Sequence, residues 1–471
     1  MSEDEARQSN EIKDEINKVI KQEIQQEIQD ATPAMDDAAR RRELLTLTAL
    51  NILSNITVPL AGLVDKAMLG RLDELRFLDG VALGTIIFDY AYWSFGFLRM
   101  ATTGLVARAE GERDPATLWQ TVDRGLMTAA AIGLLLWISA WPLRELGLVL
   151  LGGSPAIQDA ARDYFNARIL AAPITLANYV ILGTLLGRGR SGRVLILTVI
   201  SNLANVGLNL LLIGHFQLAA QGAGLATAGS QAIMLVVGLI LLPDKRTRPA
   251  ISLAALVDRD KLGEVFRLNR DIMVRTFALI SAFSIFQRLS LGFSEDILAV
   301  NTLLLGVVSF ASFAIDGAAF AVETHAGRFA GQGRPALIRK TVRDALIVAF
   351  AFALLVIIPA LGAPRAVMGL LTDHEHLLAM ASALMPFVAA VIALGSAAYV
   401  FDGLFIGLSN GRVLRNAVLI ALAGYLPVAL LATRIGSVRL LWSALAGFMV
   451  LRSGYQAYRF LRSDALDEPE P

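Results

Sequence analysis

From about residue 43 onward the chain alternates long apolar runs with short polar breaks, and the runs have the length of membrane-crossing helices. A hydrocarbon core about 30 Å thick needs roughly 20 apolar residues at 1.5 Å each. Twelve such runs are legible. In the first half they lie at about 43–70, 80–108, 119–141, 161–187, 191–214 and 218–242. In the second half they lie at about 269–293, 297–328, 340–362, 378–408, 412–434 and 437–460. The polar remainder divides the chain further, into a tail over 1–42, a linker over 243–268 and a second tail over 461–471. Within the first tail Ile12, Ile16, Val19, Ile20, Ile24 and Ile28 keep helical spacing among Glu, Lys and Gln. The polar face of that segment lacks the Lys/Arg density of a lipid-surface helix, so a mobile tail is expected there.

The two halves repeat. At a shift of 220 residues Gly111 meets Gly331, Pro115 meets Pro335 and Thr121-Val122 meets Thr341-Val342. Tyr179, Gly183 and Gly187 meet Tyr399, Gly403 and Gly407 in the same frame. After one residue of slip Gly192-Arg193-Val194-Leu195 matches Gly411-Arg412-Val413-Leu414. Six spans per half is an even number, so both halves enter the membrane in the same sense. The expected fold is therefore an all-α polytopic membrane protein. Its twelve or so transmembrane helices form two parallel six-helix lobes, 43–242 and 269–460, around a central cleft. Duplicated lobes facing a cleft are the architecture of alternating-access transporters.

Composition narrows the reading further. The chain is 55% hydrophobic with mean hydropathy +0.58 and only 18% charged residues, against about a quarter in soluble domains. It has no cysteine, which excludes disulfides, thiolate metal sites and thiol nucleophiles. The polar first 40 residues do not resemble a cleavable signal peptide. Although the formal net charge is +1, Lys and Arg are unevenly placed: roughly two dozen fall in the tails and the loops after even-numbered spans, and roughly eight in the other loops. That bias predicts cytoplasmic termini.

Within the first span, Pro59-Leu60-Ala61-Gly62-Leu63-Val64-Asp65 sets a carboxylate one and a half turns beyond a proline. Acids inside a membrane cost about 2.5–3.5 kcal/mol on insertion scales and are commonly functional or paired. Asp65 is thus the first candidate for binding a coupling ion, most simply a proton, with Pro59 as a hinge below it.

Several motifs in order resemble those of multidrug and toxic compound extrusion (MATE) transporters, in particular their DinF branch. They are Pro59 to Asp65 with Leu69-Gly70, then Phe97-Leu98-Arg99-Met100-Ala101-Thr102-Thr103-Gly104-Leu105, then Arg168 with Ala172-Pro173 and Gly183, Gly187 and Gly189. Asp316-Gly317 through Ala321-Val322-Glu323-Thr324 and Ala326-Gly327 completes the set, and the resemblance covers about residues 43–460. It implies a two-lobed exporter that uses a proton or sodium gradient to expel organic compounds, often cationic drugs and in some relatives organic anions such as citrate. It implies that protonation of Asp65 bends the first helix and evicts substrate from the N-lobe, and it makes Pro173 a second hinge. Two positions depart from the pattern. Asn209 stands where the family's fifth helix often carries an acid, and Lys66 where Thr is common. An amide can hydrogen-bond a protonated Asp65 but takes no proton itself, which favours one proton over a metal cation.

Other polar residues inside the spans complete the candidates. Asn178, Thr184, Asn202, Asn205 and Asn209 would form an N-lobe polar site around Asp65, with the plainer alternative of helix–helix glue. Arg99 and Asp316 occupy comparable stretches of spans 2 and 8 and are expected to pair across the cleft. Asp271 and Arg275, at i,i+4, are expected to satisfy each other. Glu323 and His325 would form a C-lobe proton relay or, more simply, charges near a helix end. His374 and His376 with Asp373 and Glu375 read as a solvated outer loop rather than a metal site. No metal-ligand motif or activated nucleophile is evident, so no enzyme activity and no cofactor beyond the coupling ion, H+ or alternatively Na+, are expected. The sequence-level reading is an antiporter exporting organic cations or amphiphiles for protons. The alternatives are an organic-anion exporter of the same fold and a flippase of lipid-linked substrates. The expected partners are a small organic substrate and the bilayer, with no nucleic acid and no second subunit. The expected site is a bacterial inner membrane, or a thylakoid-type or plastid membrane.

Overall fold

The computed structural model describes residues 36–70, 72, 74–242, 248 and 258–462. The Ile-periodic segment of the first tail and most of the linker lie outside the described residues. Sixteen α-helices are present among the described residues. In the first half they are α1 (Asp37–Leu69), α2 (Arg76–Ser94), α3 (Phe97–Gly111), α4 (Pro115–Ile138), α5 (Ala140–Leu151), α6 (Pro155–Arg168), α7 (Ala172–Gly187), α8 (Ser191–Asn209) and α9 (Ala219–Leu241). In the second they are α10 (Arg259–Leu291), α11 (Glu295–Gly331), α12 (Pro335–Gly362), α13 (Pro364–Gly369), α14 (Glu375–Gly407), α15 (Gly411–Ile435) and α16 (Val438–Leu461).

Ten stretches are long and apolar enough to cross a membrane among the described residues. The 33-residue α1 and the 24-residue α16, whose Arg439, Arg452 and Arg459 lower its hydropathy, bring the spans to twelve. The second span is two helices, α2 and α3, because the chain turns at Phe95–Gly96. The fourth is α6 and α7 joined by a 3₁₀ turn over Ile169–Ala171, with Pro173 at the start of α7. Proline offers no N–H to the preceding turn, which suits a break in the α-helical ladder there. By contrast α1 runs unbroken through Pro59 and Asp65. Several helices begin earlier than hydropathy indicates. α1 starts at Asp37 and α10 at Arg259, since their first turns are polar helix rather than tail or linker.

Exposed large apolar side chains such as Leu134, Val236, Leu355 and Ile420 recur on the outside of the bundle, a surface suited to lipid rather than water. Trp93, Trp137 and Trp141 are exposed near the ends of α2 and α4 and the start of α5, the amphipathic rings expected at a membrane interface.

The repeat is visible in the backbone. Arg113 and Gly333 both take left-handed conformations, at φ 55° and 64°. So do Gly189 and Ser409, at φ 67° and 55°. Each pair is 220 residues apart. Short helices also follow the third and ninth spans, α5 and α13 respectively. The centre of the molecule is α11, which packs against α1 and α3 of the first half and α12 and α14 of the second.

Candidate functional site

The two lobes meet most closely at the end that carries Asp36 and Arg462. Here the contacts obey the repeat. A Cβ on Gly111 would collide with the backbone carbonyl of Arg328, and one on Gly331 would collide with that of Arg108. Glycine is required at both places because two helix backbones touch. Two turns deeper, Gly104 lies against the carbonyl of Ile406, and Thr324, its counterpart 220 residues on, donates from Oγ1 to the carbonyl of Leu186 at 2.8 Å. The result is a close-packed seal made of α3, α7, α11 and α14.

The first turns of α1 strap this seal from outside. Arg40, fully buried, donates to Asp344 Oδ2 at 2.6 Å and to Thr341 Oγ1 at 3.3 Å. Arg41 donates to the same Asp344 oxygen at 3.0 Å, and Lys340 to Asp37 at 2.8 Å. Glu43 accepts from Arg328 at 2.8 Å and lies 3.4 Å from His325 Nε2. Further along α1, the Asn51 and Asn55 amides donate to the carbonyls of Gly317 and Phe313 at 3.4 and 3.2 Å.

Beyond the seal a belt of charged and phenolic groups runs from one lobe to the other. In its middle Arg99 stacks over Phe320, 4.3 Å from the ring centre, with Nη1 3.6 Å from Glu323 Oε2. Glu323 is fully buried. The partner of Arg99 is therefore Glu323 and not Asp316, which forms no ion pair within 4 Å among the described residues. Glu323 lies about two turns beyond Asp316 on α11. Similar hydropathy on both helices cannot reveal which acid lies level with Arg99.

On the second-lobe side the belt continues into a buried cluster. Asp402 accepts from Arg452, from Arg275 and from Gln456, the last at 2.6 Å. Arg452 also lies over the ring of Tyr399, whose hydroxyl is 2.9 Å from Ser312 Oγ. Arg275 is thus taken by Asp402, while Asp271 pairs with Arg415 at 2.7 Å and Arg270 at 3.3 Å. The expected Asp271–Arg275 pair does not form because the two side chains turn to different neighbours. On the first-lobe side, Arg168 sits among Phe88, Tyr92 and Tyr164 and donates to the Tyr164 hydroxyl at 2.7 Å. Tyr179, the repeat counterpart of Tyr399, is buried nearby, within electrostatic range of Tyr92, Arg168, Asp89 and Arg99.

The remaining candidates separate by partner. Asn178 donates to the backbone and side-chain oxygens of Gln231 at 2.9 and 2.8 Å, a bond between α7 and α9. Thr184 bonds back to Val180 on its own helix. Asn209 donates to Asn205 Oδ1 at 3.1 Å, and the Asn202 amide nitrogen is buried without a hydrogen-bond partner among the described residues. Glu323 and His325 face different helices, α3 and α1, so they do not form a relay with each other, and both are fully buried rather than solvated. His376 lies 3.5 Å from Asp296 in an exposed pair, and no group of three or more potential metal ligands occurs among the described residues. The side chains of Pro59, Asp65 and Lys66 lie outside the described part of α1. Arg452, Gln456 and the α1 strap went unnoticed in the sequence, although Arg452 in an apolar run already demanded an acid partner.

A model of the MatE family matches residues 51–211 and 272–431. The chain belongs to the MatE family. The two matched blocks begin and end about 220 residues apart, as the repeat requires. A MatE relative, DNA damage-inducible protein F of Escherichia coli K12, is 35% identical over 407 residues, covering 85% of this chain and 88% of the relative. Multidrug resistance protein PmpM of Pseudomonas aeruginosa is 28% identical over 305 residues, covering 63% and 64%. Among solved structures, a MOP superfamily transporter from Pyrococcus furiosus superposes with a TM-score of 0.82 at 19% identity, covering 91% of this chain and 97% of that one. A multidrug resistance MATE transporter described as outward-facing gives the same values. The protein is thus a multi-pass membrane protein of a transporter family with the two-lobed MatE fold.

Proposed function

We propose that this chain is an antiporter that exports organic cations or amphiphiles in exchange for protons by alternating access, and that it catalyses no chemical reaction. The observation that carries the reading is the cross-lobe geometry: a charged belt spans both lobes directly above a seal that closes one end. A carrier of this kind needs two bodies able to part at either end around a polar midplane. The names of several relatives, which speak of multidrug resistance, support the substrate class. With both termini in the cytoplasm of a bacterial inner membrane, the sealed end faces inward and the structure corresponds to an outward-facing state. Asp65 is the ion-coupling group, Pro59 and Pro173 the hinges, and Asn202, Asn205 and Asn209 the amides nearest in role. The protein works as a monomer with no cofactor beyond the coupling ion, and sodium is the alternative ion.

Proteoliposomes with an imposed pH gradient test this. Uptake of a fluorescent organic cation should follow the proton gradient and fall to background in Asp65→Asn. Transport unchanged by Asp65→Asn overturns the coupling role, and dependence on sodium alone reassigns the ion. A second reading rests on the arginines of the belt, Arg99, Arg168, Arg275 and Arg452, which suit an organic anion. Competition between a cationic and a carboxylate substrate in the same vesicles distinguishes the two.

A further inference from the structure

We infer that the first two turns of α1 are a charge latch that sets the balance between the sealed and open forms of this end of the transporter. The glycine-packed seal is repeat-symmetric and built mainly from backbone, so both lobes contribute to it alike. The α1 contacts are different in kind. Four side chains within the first two turns of α1, Asp37, Arg40, Arg41 and Glu43, all find opposite charges on the second lobe: Lys340 and Asp344 on α12 and Arg328 on α11, with the buried His325 adding a contact to Glu43.

The sign of the effect follows from burial. Arg40 is fully buried and Asp344 nearly so. A buried pair gains Coulomb energy but loses hydration, and the two nearly cancel, so the intact latch leaves sealed and open forms close in energy. Neutralising one member breaks that balance in one direction. In the sealed form the remaining charge is stranded away from water. In the open form the same charge is hydrated and little changes. Neutralising Asp344, or more weakly the part-buried Glu43, therefore shifts the population toward the open form, and neutralising both sides of the pair shifts it back, whereas the exposed Asp37–Lys340 pair contributes little. α1 also carries Asp65, about 33 Å beyond Glu43 along the helix axis, so the latch sits on the same helix as the coupling residue, on the other side of the Pro59 hinge. The inference about the latch stands without that residue's role.

The cysteine-free chain permits a direct test. Ala116 and Ala336, exposed counterparts at the starts of α4 and α12, take nitroxide labels as A116C/A336C, and electron–electron distance measurements in lipid nanodiscs report the separation of the lobes at this end. The latch requires that D344N raise the ratio of long to short distances by about fivefold or more, the range of a modest coupling energy. The combination R40Q/R41Q/D344N should return most of the way to the parent. If D344N does not yield folded protein, E43Q and E43Q/R328Q are read in the same way. Single neutralisations that leave the distance distribution unchanged, or combinations that add rather than cancel, overturn the latch. Neither result depends on substrate or on a proton gradient, so failure here is separable from failure of the transport assay.

Discussion

Arg99 reaches across the lobe boundary to Glu323, Nη1 to Oε2 at 3.6 Å, while stacking on Phe320. The pair joins α3 of one lobe to α11 of the other just above the seal. Removing one partner leaves a charge in a low-dielectric interface, and the effect is larger than removing both. R99Q and E323Q should each lower transport by about tenfold or more. The charge-reversed double variant R99E/E323R should recover most of the loss in the same vesicles. A double variant no better than either single one shows that the contact is incidental.

Asp402 serves two arginines and Gln456 at once. The Asp402→Leu change strands both guanidinium groups and should destabilise the protein by about 3–5 kcal/mol. Arg275→Leu leaves the Asp402–Arg452 pair intact and should cost less than half as much. Denaturant unfolding in detergent, followed by tryptophan fluorescence, gives the comparison.

Ser409 takes a left-handed conformation at φ 55°, which its counterpart Gly189 adopts without a Cβ, and its hydroxyl has no hydrogen-bond partner among the described residues. The S409G variant relieves a strain of about 1–2 kcal/mol and should raise the thermal midpoint. A lowered midpoint means that the side chain contributes packing worth more than the strain.

Glu145 lies on α5, outside the spans, where hydrogen bonds from Arg162 and then Arg144 hold its carboxyl below the usual value of 4.5. A depressed folded-state value means that the contact is fully present above the ordinary carboxylate range and is lost as pH falls through the lowered one. Hydrogen exchange of α5 amides should stay constant from neutral pH to about 5 and accelerate below about 4, after correction for intrinsic rates. In E145Q that acid-dependent step should vanish.

The spans, the repeat and the family were legible because hydropathy runs and repeated motifs survive in one dimension. Partner choice was not. Arg99 has two acids on one face of α11, about two turns apart, and only the axial position of α3 against that helix selects Glu323 over Asp316. The α1 strap was hidden for another reason: Arg40, Arg41 and Glu43 read as a polar tail giving way to a span, and nothing local reveals that they fold against α11 and α12. Pro173 marked a real break in its span, whereas Phe95–Gly96, with neither proline nor a polar run, gave no warning. Asn178 turned out to bind Gln231, a residue that hydropathy leaves unremarked inside α9.

The reciprocal contacts at the seal have a consequence for each half taken alone. Gly111 meets Arg328 and Gly331 meets Arg108, which is the arrangement in which residue i of one body touches j of the other and j touches i. That reciprocity defines the interface of a two-fold symmetric dimer. A half-length chain carrying these glycines would have the contacts needed to close on a second copy of itself. Position 103 carries a threonine where its counterpart 323 carries a glutamate, so at this junction the two sides differ in charge.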